Sequence, residues 1–153
     1  MADRTVQRLN EIGLELPALA VPVASYVPAM RTGNLIYTSG QLPLVSGSLA
    51  YQGKVGAEVS VDDAVSAARI CTLNALAAIA SLADLDSIVR VVKVVGFVSS
   101  ASGFTGQPTV INGASDLLVS VFGDAGQHAR SAVGVAELPL GAPVEVELIV
   151  DVA

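Results

Sequence analysis

The residues best suited to chemistry are an arginine and a glutamate near the carboxyl end. In Ala129-Arg130-Ser131-Ala132-Val133-Gly134, extended backbone sends Arg130, Ala132 and Gly134 to one face, because side chains alternate along a strand. Val144-Glu145-Val146-Glu147 follows after Pro139 to Ala142, and pairing the two strands about that turn brings Glu145 to the same face. A guanidinium grips a carboxylate through two parallel hydrogen bonds, a geometry lysine does not reproduce, and the small Ala132 and Gly134 leave room for a ligand. Glu145 can orient a water or act as a general base. The pattern therefore reads as a carboxylate clamp beside a proton acceptor. The plainer reading stays open: Arg130 as a surface or interface ion-pair partner, and Glu145, Glu147 and Asp151 as one solvated strand face.

Other reactive constellations are missing. The sequence has no GxxxxGK[ST] phosphate loop, no GxGxxG after a strand, and no HExxH or CxxC spacing. One histidine, His128, and one cysteine, Cys71, cannot build a His/Cys zinc site within a chain. GxSxG is absent, so a serine triad would have to use His128, which follows a glycine-rich turn and reads as a loop residue. Cys71 falls in the apolar stripe of a helix and reads as core.

Composition sets the class. The 153 residues suit a single domain spanning 1–153. Apolar residues make up 52% and charged residues only 14%, with a net charge of −6, which rules out intrinsic disorder. The 8 basic residues are scattered from Arg4 to Arg130, so no nucleic-acid partner is expected. The longest apolar stretch, Ala64 to Ala83, contains Arg69, Thr72 and Asn74 and is flanked by Asp62, Asp63, Asp84 and Asp86, so no membrane span is expected. MADRTVQRLNEIG lacks the apolar core of a secretory signal, and a lone cysteine suits a reducing compartment, so the expected location is cytoplasmic. A small domain this short of charge covers apolar surface most readily against copies of itself.

The elements that must position Arg130 and Glu145 follow from periodicity. Residues 4–16 read as a short helix within an amino-terminal extension over 1–20, and Pro17, Pro22 and Pro28 then impose an extended path. Thr32-Gly33-Asn34 turns into a strand over Leu35 to Thr38, and Ser46-Gly47 marks a short hairpin. Ser60 and Asp63 cap a helix whose stripe runs Val65, Ala68, Cys71, Thr72, Ala75, Ala78, Ile79 and Leu82. Ile88 to Val98 reads as a strand covered on both faces, and Pro108 opens a helix ending near Phe122. Strands over Ser131 to Glu137 and Val144 to Val152 complete an α+β, two-layer domain, a mixed β-sheet with two helices packed on one face.

The run from His128 to Glu147, with Ala-Arg-Ser at 129–131, the Leu-Pro-x-Gly turn and Val-Glu-Val-Glu, resembles the RidA/YjgF family of reactive-intermediate deaminases. Ser25-Tyr26-Val27-Pro28, Gly33 to Pro43 and Val110-Ile111-Asn112 extend the likeness over nearly the whole chain from about residue 22. The resemblance implies a chorismate-mutase-like (YjgF-like) subunit with sheets lining a trimeric barrel and clefts between subunits. It implies hydrolysis of enamine or imine intermediates to 2-keto acids and ammonia, with no metal or organic cofactor. It further implies Arg130 on the substrate carboxylate, Glu145 beside the attacking water, and Tyr26, Ser39, Gly40, Asn112 and Ala132 lining the cleft. The expected partners are thus a small carboxylate-bearing metabolite and two further copies in a homotrimer. Ala132 stands where many active members carry cysteine, a feature that favours the alternative, a non-catalytic module that binds a small carboxylate in the same cleft. The endoribonuclease label attached to the family sits poorly with the acidic charge.

Overall fold

The computed structural model describes residues 3–19, 22 and 24–153, so the expected extension over 1–20 is seen over 3–19. Asp3 opens the first helix, α1 (Arg4–Glu11), by accepting the Val6 amide at 3.1 Å. The sequence predicts this helix to residue 16, but it stops at Glu11. Gly13 takes a φ of 78°, and the Gly13 and Leu14 amides turn back onto the Asn10 and Leu9 carbonyls, which closes the helix. Asp86 then holds α1 in place, accepting the Arg4 amide at 2.9 Å and both the amide and the hydroxyl of Thr5 at 2.9 and 2.7 Å. Leu9 is buried against Leu73, Leu117 and Val121.

The strands β1 (Ala29–Thr32) and β2 (Leu35–Thr38) form a hairpin around Gly33-Asn34. β1 escapes the sequence reading because it follows Pro28 and buries only Ala29, so it shows no alternation. A small hairpin of β3 (Leu44–Val45) and β4 (Ser48–Leu49) turns at Ser46-Gly47 as expected. The helix α2 (Val61–Ala80) starts at Ser60, whose hydroxyl accepts the Asp63 amide at 3.1 Å. The remaining elements are β5 (Ile88–Ser99), α3 (Gln107–Phe122), β6 (Ala129–Val135) and β7 (Val144–Val152).

The five-stranded sheet has the order β1-β2-β7-β5-β6, with β5 and β6 parallel and the other neighbours antiparallel. The expected α+β fold is therefore present, with α2 and α3 on one face. The expected direct pairing of β6 with β7 is not. β5, α3 and β6 make a strand-helix-strand crossover, which lays β6 parallel beside β5, and β7 takes the other edge of β5. The segment Pro139–Gly141 thus passes over the end of β5 instead of closing a hairpin.

The core lies between sheet and helices, where Val94, Val98, Val144, Val146, Leu148 and Val150 meet Leu76, Ile79, Ile111 and Leu118. α2 is long and apolar enough to span a bilayer by length and composition, yet every residue from Cys71 to Ile79 is buried within the fold. The Asn74 amide donates to the Leu42 and Leu44 carbonyls, both at 3.0 Å, and so fixes α2 to the turn before β3. Leu82, expected on the buried stripe, is exposed beyond the end of α2, and Ala64 and Ala67 are buried at the other end. Of the cover expected on both faces of β5, the helices of this chain supply one face. In the chain alone one face is packed, while the other side of the sheet presents exposed Met30, Tyr37 and Val133.

Candidate functional site

Arg130 shares its register position with Val94, which is buried under the helices, so its side chain runs along the helix side of edge strand β6. Nη1 donates to Asn112 Oδ1 at 2.8 Å and to Ser115 Oγ at 3.1 Å, and Nη2 to the Pro108 carbonyl at 3.3 Å. Asn112 and Ser115, one turn apart on α3, thus orient the guanidinium. All three acceptors are neutral. The ion pairs among the described residues are Arg4–Asp86, Lys54–Glu137 and Arg90–Asp151, so no carboxylate among them balances the Arg130 charge. Arg130 is a half-buried, pre-oriented cation, the state an anion receptor requires. Ala132, next on the same side of β6, packs half-buried against the core.

His128 is not the free loop residue its sequence context suggests. Its Nδ1 lies 2.6 Å from the Gly126 carbonyl and its Nε2 2.8 Å from Ser115 Oγ. A carbonyl only accepts, so Nδ1 carries the hydrogen, and in neutral imidazole Nε2 then accepts from the Ser115 hydroxyl. That assignment leaves a Ser115 lone pair facing Arg130. Ser115 was not singled out by sequence; its spacing from Asn112 along one helix face is the only signal that could have found it.

Glu145 occupies the other side of the sheet. It pairs with Phe97 between the buried Val144 and Val146. β2 leaves β7 after Tyr37, Thr38 Oγ1 accepts the Leu148 amide at 3.0 Å, and the chain rejoins through a bridge between Gln41 and Val146. This detour carries Ser39-Gly40 over Glu145 so closely that a Cβ on Gly40 would stand 2.7 Å from the Glu145 carboxyl carbon. Gly40 is therefore fixed by close approach. The Ser39 amide and hydroxyl donate to the Pro28 and Val27 carbonyls at 2.8 and 2.6 Å, pinning the segment that carries Tyr26.

Tyr26, Gly40 and Glu145 line one cleft of about 350 Å³, together with Gln41, Pro139 and Leu140. Burial, and then the neighbouring Glu147 carboxylate, push the Glu145 carboxyl above its ordinary value. A carboxyl shifted in that direction is a better proton acceptor when ionised and gives the proton back more slowly than a free glutamate.

The seven residues expected to line a cleft between subunits fall, within one chain, into two groups. Arg130, Asn112 and Ala132 gather at the β6 edge, and Tyr26, Ser39, Gly40 and Glu145 gather across the sheet. The expectation that Arg130 and Glu145 share a face is corrected, because inserting β5 between their strands changes the register on which that expectation rested. Leu140, in the turn before β7, is a cleft residue that sequence reasoning passed over.

A family model described as "YjgF/chorismate mutase-like, putative endoribonuclease" matches residues 6–152. Protein TCP17 of Trypanosoma cruzi is 45% identical over 152 residues, covering 98% of this chain and 95% of that protein. The crystal structure of Atu1372 from Agrobacterium tumefaciens, a protein with unknown function, aligns with a TM-score of 0.92 at 47% identity, covering 99% of this chain and 94% of that one. A Shewanella oneidensis structure described as a putative endoribonuclease aligns with a TM-score of 0.92 at 34% identity, covering 97% and 99% of the two chains.

Proposed function

The chain belongs to the YjgF/chorismate mutase-like family, and from that premise we propose that it hydrolyses small 2-imino acids to 2-keto acids and ammonia at a site shared between adjacent copies in a homotrimer. The observation that carries this reading is Arg130, oriented by Asn112 and Ser115 and paired with no carboxylate among the described residues. Its complement, the Glu145 cleft, faces away from it on the same chain, so a ligand touching both must sit between protomers.

The substrate carboxylate docks on the Arg130 guanidinium through two hydrogen bonds. That places the C=N carbon beside Glu145 of the adjoining copy, where a water is held. The water attacks the carbon, Glu145 takes the proton released, and the former C=N nitrogen receives it. The carbinolamine then collapses: Glu145 relays its hydroxyl proton to the amine nitrogen, the C–N bond breaks, C=O forms, and ammonia leaves. An imine carbon is already electrophilic, so positioning and proton transfer supply what the step needs. Every transferred atom comes from water or substrate, and the family likeness implies no metal or organic cofactor.

The net charge of −6 supports a small-molecule substrate over RNA. The free, buried Cys71 is compatible with a reducing, cytoplasmic setting. Ala132 favours a second reading, a module that binds a small carboxylate and performs no chemistry. The test generates 2-aminoacrylate in situ with a dehydratase and follows its decay, the imine being its tautomer. Decay faster than buffer supports the enzyme. Decay at the buffer rate, with calorimetric pyruvate binding that Arg130→Ala abolishes, supports the module.

A further inference from the structure

We propose that Leu140 sets substrate choice in the Glu145 cleft, selecting 2-imino and 2-oxo acids with a branched aliphatic or aromatic side chain over short or anionic ones. This rests on the reading above that the cleft binds such acids.

Leu140 has a φ of 62°, in the left-handed region that L side chains rarely adopt; among the described residues the other non-glycine there is Ser46, in a hairpin turn. Turn chemistry asks for glycine or asparagine at such a position, not a branched apolar residue. The core does not ask for leucine either, since Leu140 is 69% exposed. Strained positions persist where the surroundings over-determine them, and they gather at ligand sites.

The surroundings here are specific. Gln52 Nε2 donates to the Leu140 carbonyl at 2.8 Å, and the Gly53 amide to the Gly141 carbonyl at 2.8 Å. Within the turn, the Gly141 and Ala142 amides donate to the Leu138 and Pro139 carbonyls at 3.2 and 3.1 Å. These bonds fix the Leu140 backbone conformation, and Leu140 lines the cleft with Tyr26, Leu42, Leu44 and Pro139.

The cleft's volume of about 350 Å³ falls at the lower end of small-molecule sites, which run from roughly 300 to 1,000 Å³. A methyl side chain would leave most of its apolar wall uncovered. Glu145 is the charged side chain on the lining, and it repels a second carboxylate on the substrate. Apolar wall, added leucine and a lone acid together favour a bulky uncharged side chain.

The experiment measures binding of pyruvate, 4-methyl-2-oxopentanoate and 2-oxoglutarate by calorimetry to wild type, Leu140→Gly and Leu140→Asn. Both replacements suit a positive φ, so the turn is retained while the apolar body is lost. Wild type is expected to bind 4-methyl-2-oxopentanoate at least about tenfold tighter than pyruvate, the low end for added methylenes in an apolar pocket, and 2-oxoglutarate weakest. Both variants should lower that preference several-fold, as expected when contacts to the distal side chain are lost. A wild-type ratio near one, or a ratio unchanged in both variants, overturns the assignment. Selective keto-acid binding without hydrolysis of any imine overturns the deaminase reading and supports Leu140; equal hydrolysis of small and large imines by wild type and both variants does the reverse. No heat with any acid overturns both.

Discussion

Arg130 and Glu145 stand on opposite faces of one sheet: Arg130 shares a register position with buried Val94 and reaches α3, whereas Glu145 pairs with Phe97 and lies against Gly40. Copies must therefore adjoin if both are to touch one ligand. Light scattering should give three times the chain mass. Mixing Arg130→Ala with Glu145→Gln subunits under exchange should restore activity that neither variant has. Random assembly leaves about one shared site in four with both groups intact, given cyclic closure. Activity no greater than the sum of the two variants contradicts a shared site.

Replacing the clamp should be severe. Arg130→Ala should lose at least roughly 100-fold in kcat/KM, because charge-assisted hydrogen bonds are worth about 1.5–3 kcal/mol each. Arg130→Lys should recover only part, since an ammonium keeps the charge without the two parallel donors. Steady-state kinetics on the dehydratase-coupled imine check both.

Glu145→Gln should lower kcat by roughly 100-fold or more, the range for a general base, and remove the acid limb of the pH profile. Wild-type activity should fall as pH drops through the raised Glu145 value, because the base must be ionised. The stability effect has the opposite sign. A carboxyl raised above its ordinary 4.5 adds stability below that pH and loses it as pH rises through the raised value. At neutral pH the glutamine variant should thus melt no lower than wild type.

Ser115→Ala should leave the Arg130 guanidinium with one fewer acceptor and weaken pyruvate binding about fivefold, as for a hydrogen bond of about 1 kcal/mol. Ser115→Thr, which keeps the hydroxyl, should recover most of the affinity. Equal affinity for alanine and wild type in calorimetry would remove Ser115 from any part in orienting the clamp.

Asp86 should show its anchoring of α1 in acid. Burial works to raise its carboxyl, but the Thr5 hydroxyl, the Arg4 and Thr5 amides and the Arg4 charge outweigh burial and hold it at about 2, below the ordinary 3.8. A depressed carboxyl adds stability above its unfolded value and loses it as pH falls through the folded one. The melting temperature of Asp86→Ala should be lower than that of wild type at pH 6, and the gap should narrow between pH 4 and pH 2, near the values 3.8 and about 2. A gap that stays constant over that range contradicts the ionised anchor.

The sequence by itself determined the local pieces. Val144 to Val152 alternates Val and Leu with Glu, Asp and one Ile, and β7 has those bounds; Ser60 with Asp63 set the start of α2, and Pro108 lies in the first turn of α3. These are short-range effects, carried by alternation and by orphan amides needing acceptors. β1 stayed hidden because an edge strand that buries one residue has no period to read. Arg130 and Glu145 were legible as candidate site residues, but not the side of the sheet each would occupy. Strand order decided that, and strand order comes from which distant segments share a core: the crossover through α3 set β6 beside β5, and β7 closed on the other edge. Likewise Ser115, His128 and Arg130 share hydrogen bonds only because α3 folds back over β6. Pairing and proximity across many residues are properties of the packed chain, and no local spacing encodes them.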